Sequence, residues 1–335
     1  MTDALRILMT EIVDYAGLFP PAKLDMAPAV RNFGRYFGGE HAWMLGRLVV
    51  PVSRLAELER DGAPLWSVPV PRDDGGPWRI SALIGDDLNR DIDTVFAFNQ
   101  RHAPPPPEEA APEATGSAQG AVQDPATALG GTGPAIGQVG AVIDCIELKA
   151  ESGVAIDRAM QIVPEQLTPF IEIPTAGDVR GLVAALAGTG GRAKIRTGGL
   201  TPDAFPAPGP VARFIFACAA AEVPFKATAG LHHPVRGEFN LTYEPGCPRG
   251  VMYGFFNVFV GAALAMGARI GVEEIEQVLV ETNPKAFVFD GTGVTWRDRR
   301  VDLARLARAR ESFAISFGSC SFEEPLADLK ALGLM

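Results

Sequence analysis

The stretch TPFIEIPTAGDVRGLVAALAGTGGRAKIRTGG, residues 168–199, contains two short apolar runs with a helical segment between them. TPFIEIPT (168–175) and RAKIRTGG (192–199) read as strands, and GDVRGLVAALAGTG between them reads as a helix. A strand, a helix and a strand in that order form a βαβ unit, which implies parallel pairing. The same alternation extends in both directions. Upstream lie RLVVPV (47–52), WRISALIG (78–85) and AVIDCIELKA (141–150), each followed by a helical segment. Downstream, VARFIFACAAAE leads into VPFKATAG (223–230), counted as a sixth strand, and FAISFGSC (313–320) precedes the closing helix FEEPLADLKALGL.

Seven strand-and-helix units are visible this way. An eighth is read at AFVFDGTGVTW (286–296), a segment that fits a surface hairpin equally well. Seven or eight units over roughly 300 ordered residues predict an α/β fold, a (β/α)8 barrel of the TIM type. The first strand is not followed by GxGxxG, so an open dinucleotide-binding sheet lacks its fingerprint. Residues 103–140 are rich in proline, alanine and glycine and include four consecutive prolines. They hold too little apolar surface to offset the entropy of ordering, so a disordered insertion is expected inside one barrel domain spanning 1–335.

Composition narrows the function. The formal charge of −10 argues against nucleic acid as a partner. Segment 251–268 is uncharged, but it includes Asn257 and three glycines and is flanked by charged, barrel-like sequence. It therefore reads as a buried helix and not a membrane span. Met252, Phe255, Phe256, Phe259 and Val260 fall at core spacing, which leaves a subunit interface and a homo-oligomer open. The four cysteines form no CxxC pair and the N-terminus has no secretory pattern, so a cytoplasmic location is expected.

Charges near the C-terminal ends of otherwise apolar strands carry the functional signal, because that rim is where barrel enzymes do chemistry. Glu147 and Lys149 lie two apart and share a face, as do Lys194 and Arg196. Glu172 ends a third run, and Lys226 and Thr228 end a fourth, closely followed by His232 and His233. Burying one such charge is costly unless it is paired or used, and here they recur on strand after strand. Their convergence predicts a site for a small anionic metabolite. Gly198 and Gly199 of KIRTGGL, and Ser319 of FGSCSFEEP, are candidate anion cradles, the second helped by a helix N-terminus. Adjacent histidines in an extended loop point opposite ways, so only one is expected to reach the site.

The string Lys226-Ala-Thr-Ala-Gly resembles the K-x-[ST]-x-G signature of class I aldolases of the deoxyribose-phosphate type. That resemblance implies a Schiff base on Lys226, whose pKa Lys194 or Lys149 would depress by like-charge repulsion. Glu147 or Glu172 would then move protons. The chain departs from the family in two respects. No lysine follows Lys226 before Lys285, and the His-His-Pro has no counterpart in the family. The expected activity is thus a cofactor-independent lyase with Lys226, Glu172, His232 and Lys194 as catalytic groups. Glu147, Lys149, Arg196, Thr228 and His233 would bind substrate.

Two alternatives stand beside it. One is a hydrolase, isomerase or lyase holding a divalent metal ion through His232, His233 and the glutamates, although no HxH or HExxH spacing supports it. The other is a barrel that binds a metabolite without catalysis. The apolar, proline-rich segment DYAGLFPPAKLD (14–25) is read as closing the barrel bottom. It could instead fold over the mouth and present Asp14, Tyr15 or Lys23.

Overall fold

The computed structural model describes residues 1–66, 76–104 and 140–335. Eight parallel strands close into a barrel. They are β1 (Val13–Tyr15), β2 (Leu45–Pro51), β3 (Trp78–Leu83), β4 (Ala141–Lys149), β5 (Thr168–Glu172), β6 (Arg192–Arg196), β7 (Phe225–Thr228) and β8 (Ala314–Ser319). The ring closes where β8 pairs with β1 and β1 with β2. This is the TIM-type α/β barrel that the alternation predicts.

One strand sits elsewhere than expected. The missing unit is β1, formed by Val13, Asp14 and Tyr15, and not the 286–296 segment. Residues Phe287–Phe289 and Gly293–Trp296 form an antiparallel pair that joins Arg299–Asp302 in a separate three-stranded sheet. Segment 14–25 therefore neither plugs the bottom nor arrives as a detached flap. Its first two residues belong to the barrel wall, and Phe19, Pro20 and Pro21 continue onto the rim of the mouth. A three-residue strand with a carboxylate at its centre has no apolar run by which it could be recognised. As a consequence Lys226 lies on the seventh strand, not the sixth.

Helices cover the outside. Those at Leu88–His102, Gly153–Ile162 and Leu303–Ser312 start at Asp87, Ser152 and Asp302, whose side chains accept the N–H three residues on. Each cap satisfies a backbone donor that the helix itself leaves unpaired. Trp78 anchors one side of the core, meeting Phe33, Phe37 and Trp66 at ring-centroid distances of 4.9, 5.9 and 5.7 Å. On the other side the buried helix Phe255–Gly267 packs Phe255 flat on Phe317 of β8, 5.4 Å between centroids. That helix has 13 residues. Among the described residues no helix is long and apolar enough to cross a membrane. Asn257, in the middle of it, accepts the Arg236 N–H and donates to the Val278 and Glu281 carbonyls, so it fastens loops and does not face the mouth.

The insertion expected at 103–140 falls almost wholly on 105–139, outside the described residues. Its described flanks meet. Gly140 has φ +71°, and a Cβ there would stand 2.8 Å from the His102 carbonyl oxygen. The chain thus leaves the helix Leu88–His102 and enters β4 at neighbouring points, so the inserted segment leaves strand pairing on both sides intact.

A β-bulge shapes the interior. Ile80 of β3 pairs with Ile143 and Ser81 with Cys145, leaving Asp144 as the extra residue on β4. The bulge reverses the alternation of faces. Asp144 reaches Arg47 and Arg79 at the N-terminal end, while Cys145 meets Ser81 and Glu147 points toward the mouth.

Candidate active site

Strand register brings the predicted charges side by side. Lys149 pairs with Glu172 across β4 and β5, Glu172 with Lys194 across β5 and β6, and Lys194 with Lys226 across β6 and β7. Glu172, Lys194 and Lys226 join Asp14, Glu147 and Arg196 in one chain of alternating charge. Lys226 Nζ donates to Asp14 Oδ2 at 2.5 Å and to Glu147 Oε1 at 2.7 Å. Lys194 Nζ is ion-paired at 2.8 Å with both Glu147 Oε2 and Glu172 Oε2. Arg196 Nε completes the run at 3.3 Å from Glu172 Oε1.

Neutral groups hold the two innermost carboxylates in place. Ser81 Oγ donates to Glu147 at 2.7 Å, and Ser316 Oγ donates to Asp14 at the same distance. Asp14 Oδ1 also accepts the Arg47 backbone N–H at 2.8 Å. Lys226, Asp14 and Glu147 are almost wholly out of solvent. Such an arrangement is tolerable only because each charge has an opposite partner and further hydrogen bonds.

The electrostatics differ from the expected like-charge picture. Burial pushes the Lys226 ammonium toward deprotonation, but the adjacent Asp14 and Glu147 carboxylates outweigh it and hold its pKa above the ordinary lysine value. Burial likewise favours a neutral Glu147, and Lys226 and Lys194 reverse this, holding its carboxyl well below the usual range. Glu172 is depressed in the same way, burial being opposed chiefly by Lys194. Lys194 does stand beside Lys226, yet Glu147 lies between the two ammonium groups. Lys226 rests as a paired cation and not as a free amine.

Above this floor opens a cavity of about 390 Å³. Glu147, Lys194, Arg196, Lys226, Thr228 and His232 all line it, with Ala16, Phe19, Pro20 and Pro21 from the N-terminal segment on one wall. Gly199 faces it as well, whereas Gly198 is covered by the Phe205 ring, 2.4 Å from where a Cβ would stand. Lys149 and Glu172 line a larger adjoining hollow of about 870 Å³ that shares Glu147, Lys194 and Arg196 with the first. Just past Lys226, Ala229 and Gly230 take φ values of +62° and +72°, turning the chain away from the strand. Thr197 Oγ1 secures this turn by donating to the Ala229 carbonyl at 2.6 Å.

The histidines separate as their adjacency implies. His232 faces the cavity, and its Nδ1 lies 2.8 Å from Glu324 Oε2, an oxygen that also accepts from the Tyr243 hydroxyl at 3.1 Å. His233 turns away, stacks on Phe239 with centroids 3.5 Å apart, and pairs with Asp328 at 2.6 Å. His233 does not line the mouth cavity itself but, with His232, lines an adjoining hollow of about 460 Å³. Each histidine is tied to its own carboxylate on the helix Glu323–Ala331. Among the described residues no three His, Cys, Asp or Glu side chains gather as a metal-binding group.

Ser319, expected as an anion cradle, is engaged within its own loop. It is buried, and its hydroxyl donates to the Ser321 carbonyl at 2.7 Å. The helix that follows has its Glu324 N–H capped by Ser321 Oγ and carries Glu323 and Glu324 in its first turn. Carboxylates at that position occupy the helix N-terminus themselves and would repel an anion. Asp14 and Ser316 are the groups that strand reading did not bring to the site, the first because β1 was hidden and the second because a serine in FAISFGSC carries no distinguishing mark.

Fold and site together define a TIM-type α/β barrel with a buried lysine–carboxylate network at the C-terminal mouth of its strands. No protein-family model and no curated protein matches the sequence.

Proposed function

We propose that this barrel is a cofactor-independent carbon–carbon lyase of the aldolase kind, acting on a small anionic carbonyl compound through Lys226. The observation that carries the reading is Lys226 Nζ at the floor of the mouth cavity, within hydrogen-bond distance of both Asp14 and Glu147. A Schiff base needs a neutral amine, and either carboxylate can take the ammonium proton directly. The amine then adds to the carbonyl carbon, and the carbinolamine loses its oxygen as water using that proton. The resulting iminium accepts the electron pair of the breaking carbon–carbon bond. One fragment leaves as a carbonyl compound, and the other is protonated at carbon and released by hydrolysis.

Lys194 and Arg196 face the same cavity and would hold the anionic group, with Thr228 beside them. Glu172 orients both cations, and His232 at the rim would carry protons to and from the departing fragment. The Lys-x-Thr-x-Gly resemblance supports this assignment only locally, since Lys226 stands on the seventh strand and no lysine follows it on β8. All four cysteines are free thiols, which fits the cytoplasmic location included in this proposal.

A specific observation favours a second reading. Because its carboxylate neighbours keep Lys226 protonated, it could act without covalent attachment, its ammonium stabilising an enolate as the bond breaks. Borohydride reduction of the full chain with a panel of 2-ketoacids and aldehydes, followed by peptide mass mapping, separates the two. A reduced adduct on Lys226 supports the Schiff base. Turnover of a panel compound with no adduct on any lysine transfers the role to the protonated amine, and neither adduct nor turnover leaves the metabolite-binding barrel.

A further inference from the structure

A second cluster of charge occupies the opposite end of the barrel. Arg47, Arg79, Asp144, Arg192 and Arg310 line a cavity of about 550 Å³ at the N-terminal ends of the strands. That end of a barrel ordinarily serves stability, and a plug of fully paired charges would do so. Here the pairing is incomplete. Asp144 takes Arg47 through Nε and Nη2, both at 2.7 Å, and Arg79 Nε at 3.1 Å. Arg79 Nη1 is then used on Glu11 at 2.6 Å.

Arg192 has no carboxylate within 4.0 Å among the described residues. Its guanidinium lies 5.5 Å from the centre of the Phe170 ring, and burial pushes it below its ordinary pKa. Arg192 itself is half-buried, whereas Arg310 is buried, and its donors go to the carbonyls of Leu8, Thr10, Ala314 and Ile315 and to no carboxylate. The half-buried Arg192 and the buried Arg310 thus lack a carboxylate partner, and the lining sets four arginines against Glu11, Asp144 and Glu311, a positive excess although the chain as a whole carries −10.

We infer that this cavity binds an oxyanion carried by a small molecule, either a phosphate or a carboxylate. Arg192 is its main ligand and the unused Nη2 of Arg79 its second. An arginine fork with no intramolecular acceptor matches either group through two parallel hydrogen bonds. The site lies apart from the mouth, and Phe170 stands between them, its ring centre 5.3 Å from Lys226 Nζ as well. It stands independently of the lyase reading.

Calorimetric titration of the full chain with inorganic pyrophosphate and with citrate tests it and distinguishes the two anion classes. Binding of at least one is expected, weakened at least about tenfold by Arg192→Gln and by Arg79→Gln. The mouth variant Arg196→Gln should leave that affinity within about twofold. Failure of both anions to bind, or loss that follows Arg196→Gln in place of the N-terminal arginines, overturns the assignment. Should Arg192→Gln not fold, Arg79→Gln decides alone, because its side chain is about a third exposed.

Discussion

Glu147 separates Lys226 from Lys194, with one carboxylate oxygen 2.7 Å from the first ammonium and the other 2.8 Å from the second. One side chain therefore neutralises two buried cations that strand pairing forces to be neighbours. Without it, β6 and β7 would place like charges against each other where both side chains are almost wholly buried.

Glu147→Gln should accordingly be among the most damaging single substitutions in the chain. Removing one member of a buried ionic network costs about 3–5 kcal/mol, because its partners keep their charge and lose their compensation. Equilibrium urea unfolding measures this. A loss below about 1 kcal/mol would mean that the network is not closed in the way described.

The same pair sets the pH limits of stability, with opposite signs. The Glu147 carboxyl is depressed in the folded protein, so its contribution is complete above the ordinary glutamate range near 4.3 and is lost as pH falls toward the depressed value. Lys226 is raised, so its contribution is complete below roughly 10.4 and is lost as pH rises through the folded value. The urea midpoint should be level between about pH 5 and pH 10 and should fall on either side. Lys226→Met should reduce the alkaline decline, the buried Tyr15 and Tyr253 phenols, both pushed up to about 12, supplying the remainder, and an unchanged decline in that variant would contradict the assignment.

If Lys226 is the nucleophile, borohydride trapping should accelerate with increasing pH through and beyond the ordinary lysine range, because only the neutral amine attacks. A trapping rate that is level above pH 8 would place the amine's pKa well below the direction that Asp14 and Glu147 impose.

The two histidines should respond differently. His232→Gln removes a cavity-facing group and is expected to lower turnover of a trapped substrate about 100-fold, in the range of a lost acid–base group. His233→Gln breaks a pairing with Asp328 away from the cavity and should change turnover less than about threefold. Equal losses would show that both act only by anchoring the helix Glu323–Ala331.

Gly230→Ala tests the turn behind Lys226. At φ +72° a Cβ would meet the Phe205 ring at 2.7 Å and Gly198 Cα at 3.0 Å, so a cost of about 2–4 kcal/mol is expected. The adjacent Ala229→Gly relieves a left-handed alanine and should change stability by no more than about 1 kcal/mol. Thermal unfolding of the two variants gives the comparison.

Much of the barrel is readable in one dimension because parallel strands buried on both faces must be short apolar runs, and the helices between them must be amphipathic. Seven of the eight strands carry that pattern, and the charges at the ends of four of them signal the mouth. Val13–Tyr15 does not carry it, since three residues around a buried aspartate contain no periodicity to detect. The Phe287–Phe289 and Gly293–Trp296 pair imitates a strand unit because a half-buried surface sheet uses the same residue types.

The sequence by itself thus determined the barrel class, the end at which the charged residues gather, and the identity of Lys226, Glu147, Glu172 and Lys194 as neighbours. Spacing along strands and the cost of burying charge are local properties, and they suffice for that much. Only the tertiary structure decided what those charges do to one another. Asp14 reaches Lys226 across 212 positions of chain, and the direction of the lysine's shift depends on whether a carboxylate or another ammonium stands nearest. Coulomb energy depends on distance in space, and the closure of the barrel through β1 and β8 sets that distance.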